Sequence, residues 1–183
     1  MGKNKLIFYF YFGVHFLLCG QTKTSQQILT QISTEGEILG FLENCQEKAI
    51  LTQIPIIPPV LGDKKLKTSS KFGYRIHPIY HQLKFHAGID MTTTTTDTIV
   101  VSADGVVEQV GYQSGLGNYI VVRHQFGFMT LYGHLKAIFV KPKQVIVVTQ
   151  SIGLMGNTGM VTGKHLHYAI IKNGYYYQYV RQH

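Results

Sequence analysis

Apolar and polar positions divide the chain into three stretches with different periods. Lys3 and Lys5 precede a near-continuous apolar run from Leu6 to Leu18, and Cys19-Gly20-Gln21 follows it. A positive start, a short apolar centre and small residues at its end form the pattern of a secretory signal. The run is short for a membrane span. Residues 1–20 are therefore read as a signal segment and set aside from the fold. Between residues 25 and 51, Ile28, Ile32, Leu39 and Leu42 recur at helical spacing among Gln, Ser and Glu, which predicts a helical arm. Gly36 weakens its middle, so one helix or two short ones fit the pattern. Pro55, Pro58 and Pro59 stop the helix and predict an extended linker, with a solvated turn at Gly62-Asp63-Lys64-Lys65.

From about residue 65 the pattern becomes one of short runs rich in β-branched and aromatic residues: Thr98–Val101, Gly105–Val110, Asn118–Arg123, Phe128–Tyr132 and Val145–Val148. Glycine turns separate most of them, and the tyrosines at 175–177 read as a last strand. Regularly spaced short strands predict an all-β domain, an antiparallel sandwich or partly open barrel, preceded by the short helical arm. The absence of strand–helix alternation argues against a dinucleotide fold. Gly153, Gly156 and Gly159 read as turn glycines, because no lysine is placed as in a phosphate loop. Thr92 to Thr96 reads as an exposed turn or strand edge. The division expected is 1–20 signal, 21–64 arm and proline-rich linker, and 65–183 functional domain.

Composition sharpens this picture in two ways. Hydrophobic residues make up 45% of the 183 positions, enough for a packed core. Seventeen Lys and Arg against nine Asp and Glu leave a formal charge of +8, which suits a polyanion, whether nucleic acid, anionic lipid or an anionic cell wall, and does not choose among them. No basic cluster is interleaved with aromatics, so nucleic acid is not the expected partner. Cys19 stands directly after the apolar run, where bacterial lipoproteins carry a lipidated cysteine, although Leu18 occupies a position where a small residue is usual. Membrane attachment through Cys19 is a second expectation for this segment. The remaining cysteine, Cys45, then has no intramolecular disulfide partner and reads as a small hydrophobe.

The chemistry concentrates in histidines. Of nine in the chain, two groups are placed with other ligand types. His86 and Asp90 lie four apart in His86-Ala-Gly-Ile-Asp90, so an extended segment turns both to one face. Gly88 lets the backbone between them lie close to its neighbours. His165 and His167 lie two apart and share a face of a strand, with Leu166 on the other. An imidazole–carboxylate pair plus imidazoles from a second strand forms a nitrogen/oxygen set suited to zinc. Three protein ligands leave a fourth position for water, the catalytic arrangement. Spacing alone allows both His165 and His167 to bind, or one of them.

The order of several motifs adds more. Phe72-Gly-Tyr-Arg-Ile-His-Pro78, His86-Ala-Gly-Ile-Asp90, Ala103-Asp-Gly-Val-Val107, Gly117-Asn-Tyr119, Leu131-Tyr-Gly-His-Leu135, Gly156-Asn-Thr-Gly159 and Thr162-Gly-Lys-His-Leu-His167 resemble, in order and approximate spacing, the lysostaphin-type or LytM-like zinc endopeptidases of bacterial cell walls. The resemblance covers about residues 55–180. It implies the LytM-like peptidase fold and one zinc ion per chain held by His86, Asp90 and His167. It also implies two non-ligand histidines at the active centre, His134 and His165. All five residue types are present, unlike in a degenerate relative. The chain departs from the family at Val147–Ser151, where a glycine-containing turn is common, and at the threonine run after Asp90, where Pro or Gly is usual.

The activity so implied is hydrolysis of peptide cross-links in peptidoglycan, with D-alanyl–diaminopimelate bonds favoured by the Phe72–Pro78 segment. One free imidazole would move the proton and the other would donate to the oxyanion, and residue order does not say which is which. Export to the periplasm or cell envelope is the matching location. The rival reading is a non-catalytic module of the same fold that grips cell wall or activates another hydrolase. A structural part of an envelope assembly is a further rival. The arm at 25–51 could serve such an assembly or cover the active site. His77 and His81 read as loop or cleft-rim residues, and His124 as exposed. Tyr74, Tyr132 and Tyr168 read as cleft-lining.

Overall fold

The computed structural model describes residues 24–45, 48–60 and 66–177. The signal segment with Cys19, the turn at 62–65 and the terminal His183 lie outside the described residues. Among the described residues no helix is long and apolar enough to cross a membrane.

The arm forms three short helices, α1 (Ser25–Gln31), α2 (Glu35–Asn44) and α3 (Lys48–Leu51). The break between the first two falls before Gly36, not at it. Thr34 caps α2: its hydroxyl accepts from the Glu37 N–H and the Glu37 carboxylate accepts from the Thr34 N–H. This reciprocal box, repeated by Thr24 and Gln27 on α1, determines the helix starts more strongly than one glycine opposes a helix. Cys45 caps the end of α2 and is half-buried.

Twelve strands follow: β1 (Lys67–Ser70), β2 (Gly73–Ile76), β3 (Leu83–His86), β4 (Ile89–Thr92), β5 (Thr98–Val100), β6 (Gly105–Gln113), β7 (Gly117–Arg123), β8 (Phe128–Ile138), β9 (Val145–Ile146), β10 (Ser151–Met155), β11 (Leu166–Lys172) and β12 (Tyr175–Tyr177). All pairings are antiparallel. Ten strands form one sheet along the path β1-β4-β11-β8-β7-β6-β9, with β12 added at β11 and β10 joining β8 to β5; β2 and β3 form a separate hairpin. The path stays open and closes no barrel. The five strands expected from β-branched runs are present. Gly153 and Gly156 are not turn residues: Gly153 lies within β10 and Gly156 bridges to His165 just beyond it. A Cβ on Gly156 would fall 2.4 Å from the Lys136 backbone nitrogen, so glycine there permits close strand approach.

The core runs through Ile99, Val107, Ile120, Val122, Leu135, Ile152, Met155 and Leu166 and continues into Leu29, Ile38, Ile50 and Ile54 of the arm. The arm thus packs on the sheet. Lys172, buried at the end of β11, donates to the carbonyls of Leu29 and Phe126 at 3.0 and 2.7 Å. The first of these is an unpaired carbonyl in the last turn of α1, where a cation is favoured. Tyr177 donates to the Ser33 carbonyl. The linker follows the sheet edge, with the Val100 N–H donating to Pro59 and the Asp104 N–H to Thr52.

Tyr132 and Tyr168 belong to this core and not to a cleft: both are essentially inaccessible. Their hydroxyls join Ser102, Thr130 and His124 in a buried hydrogen-bonded chain. His124, expected at the surface, is buried. Its position after Arg123 suggested a turn, but its ring folds inward to reach Asp104 and Thr130.

The departure at Val147–Ser151 has a backbone consequence. Thr149 has φ 68°, in the left-handed region, and its N–H donates to Val101 at 2.9 Å. A β-branched residue is disfavoured there, whereas glycine is not. Thr149→Gly is expected to raise the unfolding free energy by about 0.5–1 kcal/mol, strain relief exceeding the added chain entropy. Equilibrium urea denaturation measures it; a midpoint that falls would show that Thr149 carries no strain.

Candidate metal and active site

Three strands of the main sheet and the small hairpin converge on one point. β4 lies between β1 and β11, and Asp90 stands directly opposite His167 in the ladder. His167 in turn stands opposite Gly133 of β8. His86 closes β3 of the hairpin, paired with Gly73. His86 and Asp90 therefore do not share one strand face, as their spacing suggested. The chain leaves the hairpin at His86, bends at Ala87-Gly88 and enters the main sheet at Ile89. The bend brings the two side chains together as closely as a strand would.

His86 Nε2 and His167 Nδ1 are 3.0 Å apart, and each lies 3.0 Å from Asp90 Oδ1. All three residues are buried. His86 Nδ1 donates to the Lys71 carbonyl at 2.8 Å, which leaves Nε2 as a lone pair aimed at the triangle. Burial pushes the Asp90 carboxyl up, but the His167 and His86 imidazoles beside it outweigh burial and hold the group well below the usual carboxylate range. Burial lowers the His167 imidazole, partly offset by Asp90.

Such a set fits a small divalent cation. Lone pairs crowded at 3.0 Å repel unless a proton or cation lies among them. Ligand–metal distances of about 2.0–2.1 Å in a tetrahedron imply ligand–ligand edges of about 3.3–3.4 Å, a small expansion of the triangle seen. Arg75 binds the other carboxylate oxygen, Nη2 to Oδ2 at 3.3 Å, which orients Oδ1 towards the two imidazoles. The sequence patterns named the motif that contains Arg75 but not this role. A basic residue within a motif next to the ligands was the available signal.

His134 and His165 complete the group. The His134 ring centre lies 4.6 Å from that of His165 and 6.0 Å from that of His167. His134 sits at an irregularity of β8, with φ 61°. There the strand leaves β11, shifts its register against β7 and begins to pair with β10. Strained backbone of this kind re-aims a side chain. Its Nδ1 donates to the Thr158 carbonyl at 2.9 Å, and burial, with further repulsion from His165 and His167, pulls the ring down to about 4. His165 lies just before β11, its Nδ1 donating to Gly163 at 2.9 Å and its Nε2 3.7 Å from Asp90 Oδ1. All five residues singled out by the sequence thus meet at one centre.

Gly88 makes this packing possible. A Cβ there would fall 2.6 Å from the Tyr168 carbonyl and 2.7 Å from the His167 ring. Gly88→Ala is expected to push the His167 imidazole aside and weaken metal binding by about tenfold or more, in the range for displacing a supporting contact of a ligand. Competition against a chromogenic chelator reads this directly; unchanged affinity would mean that the ring has room to move.

The centre opens into a cleft of about 530 Å³. Its walls are Arg75, His77, Lys84 and Phe85 on the hairpin side, Leu116 and His134 on the sheet, and Met160 and Thr162 on the loop before β11. His77 is therefore a cleft-wall residue, as its place in the sequence suggested. No described residue from 24 to 60 lines the cleft. The arm docks at the far end of β11, five residues beyond His167, or about 17 Å along a strand. In this structure the described arm does not cover the active centre.

Comparison with known proteins agrees with this geometry. Residues 84–179 match the model of peptidase family M23, a span that contains all five site residues. The chain is 43% identical over 108 residues to the DD-carboxypeptidase/endopeptidase Mpg of Neisseria meningitidis, covering 59% of this chain and 25% of that protein. It is 42% identical over 113 residues to the peptidoglycan DD-endopeptidase ShyA of Vibrio cholerae, covering 61% and 26%. The chain thus spans about a quarter of the length of these curated relatives. Among solved structures, a zinc-containing peptidase from Vibrio cholerae superposes with a TM-score of 0.57 at 31% identity, covering 64% of this chain and 36% of that one. With more than half of its residues matched by the family model, this chain belongs to peptidase family M23.

Proposed function

We propose that the protein is a zinc-dependent endopeptidase that hydrolyses peptide cross-links of bacterial peptidoglycan. The observation that carries this reading is the triangle of His86 Nε2, Asp90 Oδ1 and His167 Nδ1 at 3.0 Å with two further imidazoles beside it in an open cleft. These three atoms would hold the zinc, which when bound supplies Lewis acidity for activating water and polarising a carbonyl. His134 and His165 move the proton. Each donates through Nδ1 to a backbone carbonyl, so that in a neutral ring Nε2 is the acceptor. A ring that takes a proton at Nε2 becomes a donor, able to bond a developing oxyanion or pass the proton to the leaving amine. The DD-endopeptidase names of relatives such as ShyA support the D-alanyl–diaminopimelate bond as the proposed cut. Export follows from the signal pattern at the N-terminus, and trimming near residue 20 in the envelope fraction is its test. For the activity itself, purified peptidoglycan incubated with the protein should show new amino termini, and a zinc chelator should abolish them. Binding to the wall without new termini would favour a non-catalytic module instead.

A further inference from the structure

The hairpin wall of the cleft carries more positive charge than the metal centre engages, since only Arg75 of its cations pairs with Asp90. Arg75 on β2 and Lys84 on β3 stand directly opposite each other in the ladder, and both line the cleft. Like charges at such a position repel and weaken a two-stranded ribbon. Asp90 is the single carboxylate among the described residues lining the cleft, and it is engaged by His86, His167 and Arg75. Lys84 forms no ion pair with a described residue; its Nζ rests 3.7 Å above the Tyr80 ring. Arg75 Nε is buried without an acceptor, a costly arrangement for a guanidinium donor. His77 on the same wall accepts the Ile79 and Tyr80 N–H groups at Nδ1, so the neutral ring presents Nε2–H as a third donor. Apolar Ile76, Ile79 and Phe85 surround these groups. The wall therefore offers two cationic side chains and a neutral donor and no carboxylate of its own, the arrangement that forms charge-assisted bonds to an anion.

We propose that Arg75, His77 and Lys84 form a carboxylate-binding subsite that selects peptides carrying a free carboxylate close to the scissile amide. The inference rests on the peptidase reading and adds the group by which the substrate is recognised. Lys84 supplies a mobile charge, and Arg75 and His77 supply fixed donors.

The test uses two non-hydrolysable peptides, with the scissile amide replaced by a methylene-amine, that differ in one neighbouring group: carboxylate in one and carboxamide in the other. Calorimetric titration of the zinc-loaded protein should show the carboxylate peptide binding roughly tenfold or more tightly, the range for a charge-assisted hydrogen bond. Lys84→Gln should reduce that ratio to about threefold or less, and Lys84→Glu should reverse it, since a like charge then faces the ligand. Lys84 is exposed, so both variants should fold, and circular dichroism confirms it. A wild-type ratio near one, no binding of either peptide, or a ratio unchanged in both variants overturns the subsite. Failure of the peptidase reading is separate: it is the absence of new amino termini from peptidoglycan, whatever the binding ratio.

Discussion

His167→Ala is expected to lose both zinc and turnover, whereas His165→Ala and His134→Ala keep the zinc while turnover falls by about two to four orders of magnitude. The two histidines of His165-Leu-His167 are two residues apart, and spacing makes them equivalent. The sheet does not. His167 is a ladder residue of β11, opposite Asp90, with Nδ1 at 3.0 Å from both Asp90 Oδ1 and His86 Nε2. His165 precedes the strand at an isolated bridge to Gly156, and its Nε2 is 3.7 Å from Asp90 Oδ1. It lies beside the triangle and next to His134. Removing it leaves three donors in place, and removing His167 leaves two. Elemental analysis of the purified variants reads metal content, and release of amino termini reads turnover. If His165→Ala empties the site, both histidines are ligands. If it keeps zinc and full activity, the proton is carried by His134 alone.

A second large effect is expected on stability in mild acid. His124 is buried, its Nδ1 donating to Asp104 and its Nε2 accepting from Thr130. Burial, only partly countered by Asp104, pulls its pKa down to about 4. The folded state therefore holds a neutral ring that the unfolded chain protonates below about pH 6.5. The stabilisation is complete above that value, and it is lost progressively as pH falls from about 6.5 towards 4. The loss from this group amounts to about 3 kcal/mol, a large share of the stability of an ordinary domain. His124→Gln should be less stable than wild type at pH 8, because the buried chain of Thr130, Tyr132, Ser102 and Tyr168 loses its end member. Its unfolding free energy should also vary less between pH 6.5 and 4. Urea titrations of both proteins across that range give the difference directly; parallel pH profiles would show that His124 already titrates normally in the folded state.

The residues of the candidate centre were legible in the sequence because their types and order are unusual. Histidine and aspartate in closely spaced groups, embedded in several motifs in a set order, mark nitrogen and oxygen donors wherever the chain places them. The strands at 98–100, 105–113, 117–123 and 128–138 were legible for a different reason. Their β-branched and aromatic runs satisfy a half-buried pleated surface without help from elsewhere. The short strands β1, β2 and β3 carry Lys, Ser, Arg and exposed apolar residues. They acquire strand form from pairing, β2 with β3 in a hairpin and β1 with β4, and not from a run of buried β-formers, so no local pattern announced them.

Local pattern also misplaced residues whose environment is made by distant segments. His124, Tyr132 and Tyr168 belong to different stretches of chain, and only the packed sheet brings the two tyrosine hydroxyls to Ser102 and the His124 ring to Asp104 and Thr130. The arm shows the same division. Its helices follow from Thr24 and Thr34, which act within a single turn. Its docking at the far end of β11 depends on Lys172 meeting Leu29 across 143 positions. What the sequence by itself determined is the chemistry available and the elements whose stabilising contacts are local. Spacing left His165 and His167 equivalent, and the motif resemblance named His167; tertiary structure supplied the reason it enters the triangle, and alone decided which carboxylate oxygen faces it and which wall of the cleft carries charge. Those outcomes depend on strand register, and register is set by pairing between residues far apart in the chain.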